Sequence, residues 1–525
     1  MFVRLCALCS RGSLKSIFNM KKKFNGKILV IGCGSVSQCL IPLLLKHMDM
    51  PAEKITIMDF VDNRHRVKSA LKRGVNYVVD RIAPENYSKL LSKYVGKGDL
   101  IIDLAWNIDC GAILTWCRQH EVLYSNTSVE EWDPYGDEIR DDPRRYTLYN
   151  RHMRLRKITD PWAAQPGTTA IVDHGANPGL VSHFTKHALI QIAEKILKTK
   201  PKDKRKKQLV QSLEDKNFSK LAQLTGVKTI HISERDSQIT DKPKQMNEFV
   251  NTWSIEGFYE EGVAPAEMGW GTHEKLIPDG AFFYDEGPKN QICLNTIGMK
   301  TWVRSWVPSG EITGMVIRHG EAFSISDRLT VWERGVPVYR PTVHYAYCPS
   351  DSAINSMHEL EMRQFQLQEK QRIMNDEIIA GKDELGVLLM GHDFNSWWCG
   401  SCLTIDEARK LAPGQQATTL QVAISMVAAV IWMIDNPRKG FLMPDDVDHE
   451  PILKFVKPYI KPIFSEAVDW TPMKNANIKY TKFNVPQPRP EDVWQFTTFL
   501  IHHQERLGAY ERRISSSTRA SAVTR

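Results

Sequence analysis

Lys27-Ile28-Leu29-Val30-Ile31-Gly32-Cys33-Gly34-Ser35-Val36-Ser37 is the stretch that decides the fold. Its apolar run reads as a short buried strand, and a helical pattern starts directly after the glycines, over 36–48. In a dinucleotide-binding turn the first glycine permits the tight bend, and the second lets backbone approach a pyrophosphate. The third keeps helix and strand close. Ser37 stands at that third position and is small enough to serve. Gly32, Gly34, Ser35, Val36 and Ser37 are therefore the candidate phosphate cradle, with the N–H groups and positive dipole of the helix start facing the anion.

Working outward, Ile55 to Asp59 reads as a second strand, and further short apolar runs fall at 75–80, 100–104 and 122–127. Helical patterns separate them. Strand–helix alternation of this kind predicts an α/β fold, a doubly wound parallel Rossmann sheet over 24–175. Asp59 ends the second strand, where a carboxylate accepts from the ribose 2′-hydroxyl and repels a 2′-phosphate, which favours NAD over NADP. Arg64 close by pulls the other way. After residue 176 helices and strands mix, which predicts an α+β substrate and dimerisation domain over 176–395. Residues 396–507 are expected to pack back on the core, with an apolar helix near Gln421 against the first domain and a last helix over 491–507. Residues 508–525 read as a disordered tail.

The net charge of +8 is local. Residues 1–23 hold six basic residues and no acid, and 198–207 hold seven basic residues against Asp203. Without these two segments the chain is mildly acidic, which argues against a nucleic-acid surface and suits a cationic substrate. Residues 1–23 are expected to lie outside the fold, as a leader of mitochondrial composition or an extension before Met20. The 198–207 run reads as a solvated loop. The apolar stretch 418–433 is too short for a bilayer, so a buried helix is expected and no membrane span. Ten cysteines without a regular framework fit a reducing, cytoplasmic setting. Cys399-Gly400-Ser401-Cys402 resembles a thioredoxin loop but comes late, after polar sequence, and is read as incidental, with no metal site.

His174-Gly175-Ala176-Asn177-Pro178-Gly179 opens a helix, and its small residues could let backbone lie against a nicotinamide; an ordinary Gly/Pro turn is the alternative. Between Trp253 and Glu274 lie Glu256, Glu260, Glu261, Glu267, Trp270 and His273. Carboxylates neutralise ammonium groups and an indole face attracts a cation at about 0.5–2 kcal/mol, so this density suits a small organic dication, or simply a charged surface.

HGANPG (174–179), HISERDSQ (231–238), NTWSIEGF (251–258), MGWGTHE (268–274), YRPTVHYAYCP (339–349) and DELGVLLMGHD (383–393) occur in an order that resembles bacterial-type homospermidine synthases, within the saccharopine-dehydrogenase-like superfamily, over about 26–472. The resemblance implies NAD held as a prosthetic group, putrescine or spermidine as aminobutyl donor, and a homodimer. It implies Trp253 as a cation–π residue beside an iminium, and Glu234 and Glu261 as holders of ammonium ends or movers of protons. It further implies that His319 and Asn177 orient substrate and nicotinamide, and that Asp383 and Glu130 bind substrate. Thr127, Ala176 and Pro178 would lie at the cofactor. Asn107 stands where the family carries an aspartate, with Asp109 two residues on, and one ammonium contact depends on that difference. Two other readings remain at this point. A reductive-amination dehydrogenase of the same superfamily would need an arginine pair for a carboxylate. A non-catalytic NAD-binding regulator would leave the acids solvated.

Overall fold

A computed structural model describes residues 21–133, 142–476 and 487–501. β1 (Ile28–Ile31) is buried throughout, as a strand must be when helices cover both faces of its sheet. The chain turns through the two glycines into α1 (Ser35–His47) and continues as β2 (Ile55–Asp59), β3 (Asn76–Val79), β4 (Leu100–Asp103) and β5 (Leu123–Asn126). After α2 (Leu148–Thr159) comes β6 (Ala170–Ile171), then α3 (Leu180–Thr199). These strands pair in parallel in the order β3-β2-β1-β4-β5-β6. The order reverses between β1 and β4, and ligands of such sheets bind outside the carboxyl ends of the strands at that point.

The second sheet has ten strands. Its centre is β7 (Thr229–Asp236), β8 (Thr342–Cys348), β9 (Lys382–His392) and β10 (Asn395–Thr404). β8 runs parallel to β7, whereas β9 is antiparallel to both β7 and β10. Between β7 and β8 the chain forms α4 (Ile255–Val263) and α5 (Gly320–Arg328). Next, α6 (Ala417–Asp435) packs against α1 in one continuous apolar core. Each fully buried Leu or Val there contributes roughly 1.5–3 kcal/mol over an exposed one. Among the described residues α6 is the one helix long and apolar enough to cross a membrane, and most of it is buried inside the protein.

Several expectations need correction. The first sheet does not end at residue 175: β11 (Phe441–Leu442) pairs in parallel with β6 and supplies a seventh strand. Lys22 and Lys23 are not outside the fold, because they form a short parallel bridge with Met48 and Asp49; residues 1–20 lie outside the described residues. The lysine-rich run is the expected exposed loop only over 200–205, and its two ends belong to helices. α3 extends through Lys198, another helix starts at Lys206, and Arg205 between them is pinned by Asp203 and Asp393. Within 491–501 the α-helix is a single turn, Phe496–Phe499, whose entry is held by Glu274 accepting from the Phe496 N–H at 3.0 Å. Residues 491–495 precede it without α-helix, and 502–525, with the expected tail, fall outside the described residues. Cys399 and Cys402 sit on strand β10, three residues apart, so they face opposite sides of the sheet and join different apolar cores. Burial pushes the Cys399 thiol up to about 12.

Candidate active site

The carboxyl ends of the first sheet carry one half of the site. Gly32 has φ +90°, and a Cβ there would lie 2.9 Å from the Leu104 carbonyl oxygen, so only glycine fits. Gly34 faces open space, and no side chain caps the helix that follows, which leaves its first N–H groups for an anion. The Ser37 hydroxyl donates to the Gly32 carbonyl at 2.7 Å, so the serine closes the turn from within. Asp59 accepts from the Cys33 N–H at 2.6 Å and from the Val61 N–H at 2.9 Å, fixing its carboxylate beside the glycine turn. Arg64 is taken up by Asp62 at 2.6 Å and by the Tyr77 ring. Thr127, just past β5, lies against Gly175. The loop through Ala176, Asn177 and Pro178 closes where Gly175 N–H meets the Pro178 carbonyl at 2.6 Å. Gly179 at φ +129° completes it; a Cβ there would lie 2.0 Å from the Gly175 oxygen.

The other half is one face of the second sheet. Side chains two apart on a strand share a face, so Glu234 and Asp236 on β7 line up with Tyr345 and Tyr347 on β8 and with Asp383 on β9. Tyr347 is paired directly with Glu234, and Asp383 with Asp236. The halves meet where the Asn177 amide donates to Glu234 Oε2 at 2.9 Å. The Tyr345 hydroxyl donates to the same oxygen. Burial pushes the Glu234 carboxyl well above its ordinary range, against these hydrogen bonds, and the nearby Asp236 adds to the rise. Asp383 is raised too, by burial first and then by Glu234 and Asp236. One of its oxygens accepts from Thr418 Oγ1 at 2.6 Å, while Oδ1 is buried without a hydrogen-bond partner. The Trp253 indole N–H donates to the Tyr347 hydroxyl at 3.0 Å, and Tyr347 stacks on Tyr345 with ring centres 5.1 Å apart.

His319, at the start of α5, sits between Glu321 (Nδ1 at 3.0 Å) and Glu261 (Nε2 at 3.3 Å), with its ring 4.4 Å from that of Tyr345. Burial disfavours a charge there, but the two carboxylates outweigh it and hold the imidazole well above its usual range. One residue back in each chain segment, Arg318 meets Glu260, so a second ionic layer adjoins the first. Glu260 also binds Arg151 of α2 and accepts from Trp106 Nε1 at 3.0 Å. Arg151 lies 3.6 Å from Glu130, whose carboxyl is pushed up by burial and by Glu260. Asn107 beside them has φ +57°, a region asparagine tolerates, and its buried Oδ1 has no hydrogen-bond partner. Asp109 cannot stand in for the missing charge, because it caps the helix Cys110–Gln119 by accepting from the Ala112 N–H at 2.7 Å.

Residues 28–171 match the saccharopine dehydrogenase NADP binding domain, and 175–466 match the saccharopine dehydrogenase C-terminal domain. Homospermidine synthase from Mesorhizobium japonicum is 36% identical over 493 residues, 91% of this chain and 97% of that protein. The Blastochloris viridis homospermidine synthase is 36% identical over 490 residues, with 91% and 98% covered. The crystal structure of homospermidine synthase from Legionella pneumophila, in complex with NAD, superposes with a TM-score of 0.81 at 37% identity, covering 92% and 99%. The chain belongs to the homospermidine synthase family.

Within this homospermidine synthase fold the acid-rich span from Trp253 to Glu274 divides in two. Trp253, Glu260 and Glu261 face the site. Glu267 instead caps α2, accepting from the Leu148 and Tyr149 N–H groups at 2.8 and 2.7 Å. Glu274 accepts from Thr342 Oγ1 and the Phe496 N–H, and burial pushes it up to about 8. Sequence reading missed Tyr345, Tyr347, Asp236, Arg151, Arg318 and Glu321. The tyrosines and Asp236 carried a usable signal, a period of two within motifs already singled out; the arginines carried none.

Proposed function

We propose that this chain joins two putrescine molecules, or spermidine and putrescine, into homospermidine, with release of ammonia or diaminopropane respectively. The observation that carries the reading is the face of Glu234, Asp236 and Asp383, three buried carboxyls without a cation among their hydrogen-bond partners, next to Trp253. Buried charge is tolerated when a partner neutralises it, and an alkyl diammonium supplies that partner. Arg151 and Arg318 would favour a carboxylate-bearing substrate, but both turn to Glu260.

The glycine turn, the α1 N-terminus and Asp59 fit NAD, with Thr127 and the Ala176–Pro178 loop on its nicotinamide side. NAD supplies the oxidising and reducing equivalent when bound. The chain's residues do the rest. An ammonium must lose a proton before its carbon can be oxidised, and Glu234, held by Asn177 and Tyr345, is placed to take it. Asp383 holds the far ammonium of the same substrate. The Trp253 face stabilises the cationic imine until the second amine attacks. His319, kept protonated between Glu261 and Glu321, donates to the departing amine. Glu130 and Asn107 receive the outer end of the second substrate.

The test is product analysis of purified protein given putrescine and NAD without a reductant. Homospermidine and ammonia in equal amounts, with no build-up of NADH, are expected. NADH accumulating in step with putrescine loss, without homospermidine, would overturn the reading. Asp59→Ala should leave turnover with saturating NAD near wild type while narrowing the preference for NAD over NADP by about tenfold, the equivalent of ~1.4 kcal/mol. Titrating both cofactors against the variant checks this.

A further inference from the structure

Asp236 lies two residues past Glu234 on β7 and opposite Asp383 on β9, yet its oxygens are already engaged. Oδ2 accepts from Thr252 Oγ1 at 2.6 Å, and Oδ1 accepts from the Gln238 backbone N–H at 2.9 Å and its side-chain amide at 3.1 Å. Thr252 immediately precedes Trp253, and its carbonyl accepts from the Gln416 side chain at the start of α6. The Gln238 amide also reaches Thr418 Oγ1 at 3.2 Å, the hydroxyl that holds Asp383. One fully buried carboxylate thus ties together β7, the Trp253 turn and the first turn of α6. Burial holds this carboxyl above its ordinary range, against the three donors.

We propose that Asp236 is a positioning residue of the amine site, anchoring the Trp253 turn through the Thr252 hydroxyl and holding a third carboxyl beside Glu234 and Asp383. The inference rests on the function proposed above. Glu234 is faced by Asp236 on its own strand, by Tyr345 and Tyr347 on β8, by Asp383 on β9, and by His319, with Glu261 behind it. Only Asp236 among the acids on this face has both oxygens engaged by the protein's own donors, so its carboxyl is held in place beside Glu234, which it raises.

Two variants separate anchor from charge. Asp236→Asn keeps the shape and removes the charge, so Glu234 loses a like-charged neighbour. The limb of kcat/KM that rises with pH should move to lower pH, and KM for putrescine should rise about tenfold, equivalent to ~1.4 kcal/mol. Thr252→Val keeps the charge and removes the hydroxyl. Its pH limb should stay in place while kcat falls several-fold, and Thr252→Ser should restore kcat. The indole N–H resonance of Trp253, assigned by its loss in Trp253→Phe, should move in Thr252→Val and return in Thr252→Ser. A Thr252→Val protein with wild-type kcat and an unmoved indole resonance would overturn the anchor. An unmoved pH limb in folded Asp236→Asn would overturn the charge role. Wild-type protein that makes no homospermidine would overturn the proposed function, and the indole resonance would still decide the anchor.

Discussion

Glu234→Gln should lower homospermidine formation by about 10²–10⁴-fold, the usual worth of a positioned general base. Glutamine keeps the size of the side chain and an oxygen for the Asn177 amide and the Tyr345 hydroxyl, so the geometry should survive. The pH profile gives the sharper reading. Burial holds the wild-type carboxyl above its ordinary range, so the ionised base, and with it kcat/KM, should climb as pH rises into the neutral range. The glutamine variant should have no such limb. Stability should move in the opposite sense. A carboxyl raised in the folded state binds its proton more tightly folded than unfolded, so it costs stability as pH climbs from the unfolded toward the folded value. The melting temperature of Glu234→Gln should therefore gain on wild type from the ordinary carboxylate range up to about pH 7. A folded glutamine variant that keeps turnover within a few-fold of wild type would remove Glu234 from the proton-transfer role.

Trp253→Phe should slow turnover about tenfold, for ~1.4 kcal/mol of differential stabilisation of the cationic imine, while putrescine affinity holds. Phenylalanine retains an apolar ring with a weaker quadrupole but loses the hydrogen bond to Tyr347, a loss of about 0.5–1.5 kcal/mol that melting temperature will report. Trp253→Ala should be worse, because the space it opens admits water to the imine. Steady-state product formation, melting temperature and putrescine binding for each variant separate the cases. Unchanged turnover in a folded Phe variant would remove the cation–π role, and a fall in melting temperature alone would make Trp253 a packing residue.

The cofactor half of the site was legible because its signals are local. A strand, two glycines, a helix and Asp59 follow one another within a few tens of residues, and the fold brings them together with Asp59 bonded to the glycine turn itself. The amine half is assembled by strand pairing across long stretches of chain, so its parts could be named only through motif resemblance. Nothing near Glu234 announces that Asp383 will lie on the same face, nor that Arg151 and Arg318 will meet at Glu260. Local density also misled. Glu267 and Glu274 stand in the acid-rich span because the helix start at Leu148 and the helical turn at Phe496 each need an acceptor. The lysine-rich run is a solvated turn at its centre, as read, but its ends are helical and Asp203 and Asp393 anchor Arg205 within it.

β11 reaches the first sheet only after nearly all of the second sheet has been laid down in sequence. During synthesis, the dinucleotide-binding half therefore leaves the ribosome with the outer edge of β6 unpaired and the surface of α1 that receives α6 bare. An open parallel edge is a template for pairing with other chains, and closure between such distant segments is slow. The cofactor half is thus not a module that matures ahead of the rest. The chain is exposed to aggregation until its last hundred residues arrive, and its need for chaperones should be concentrated in that interval.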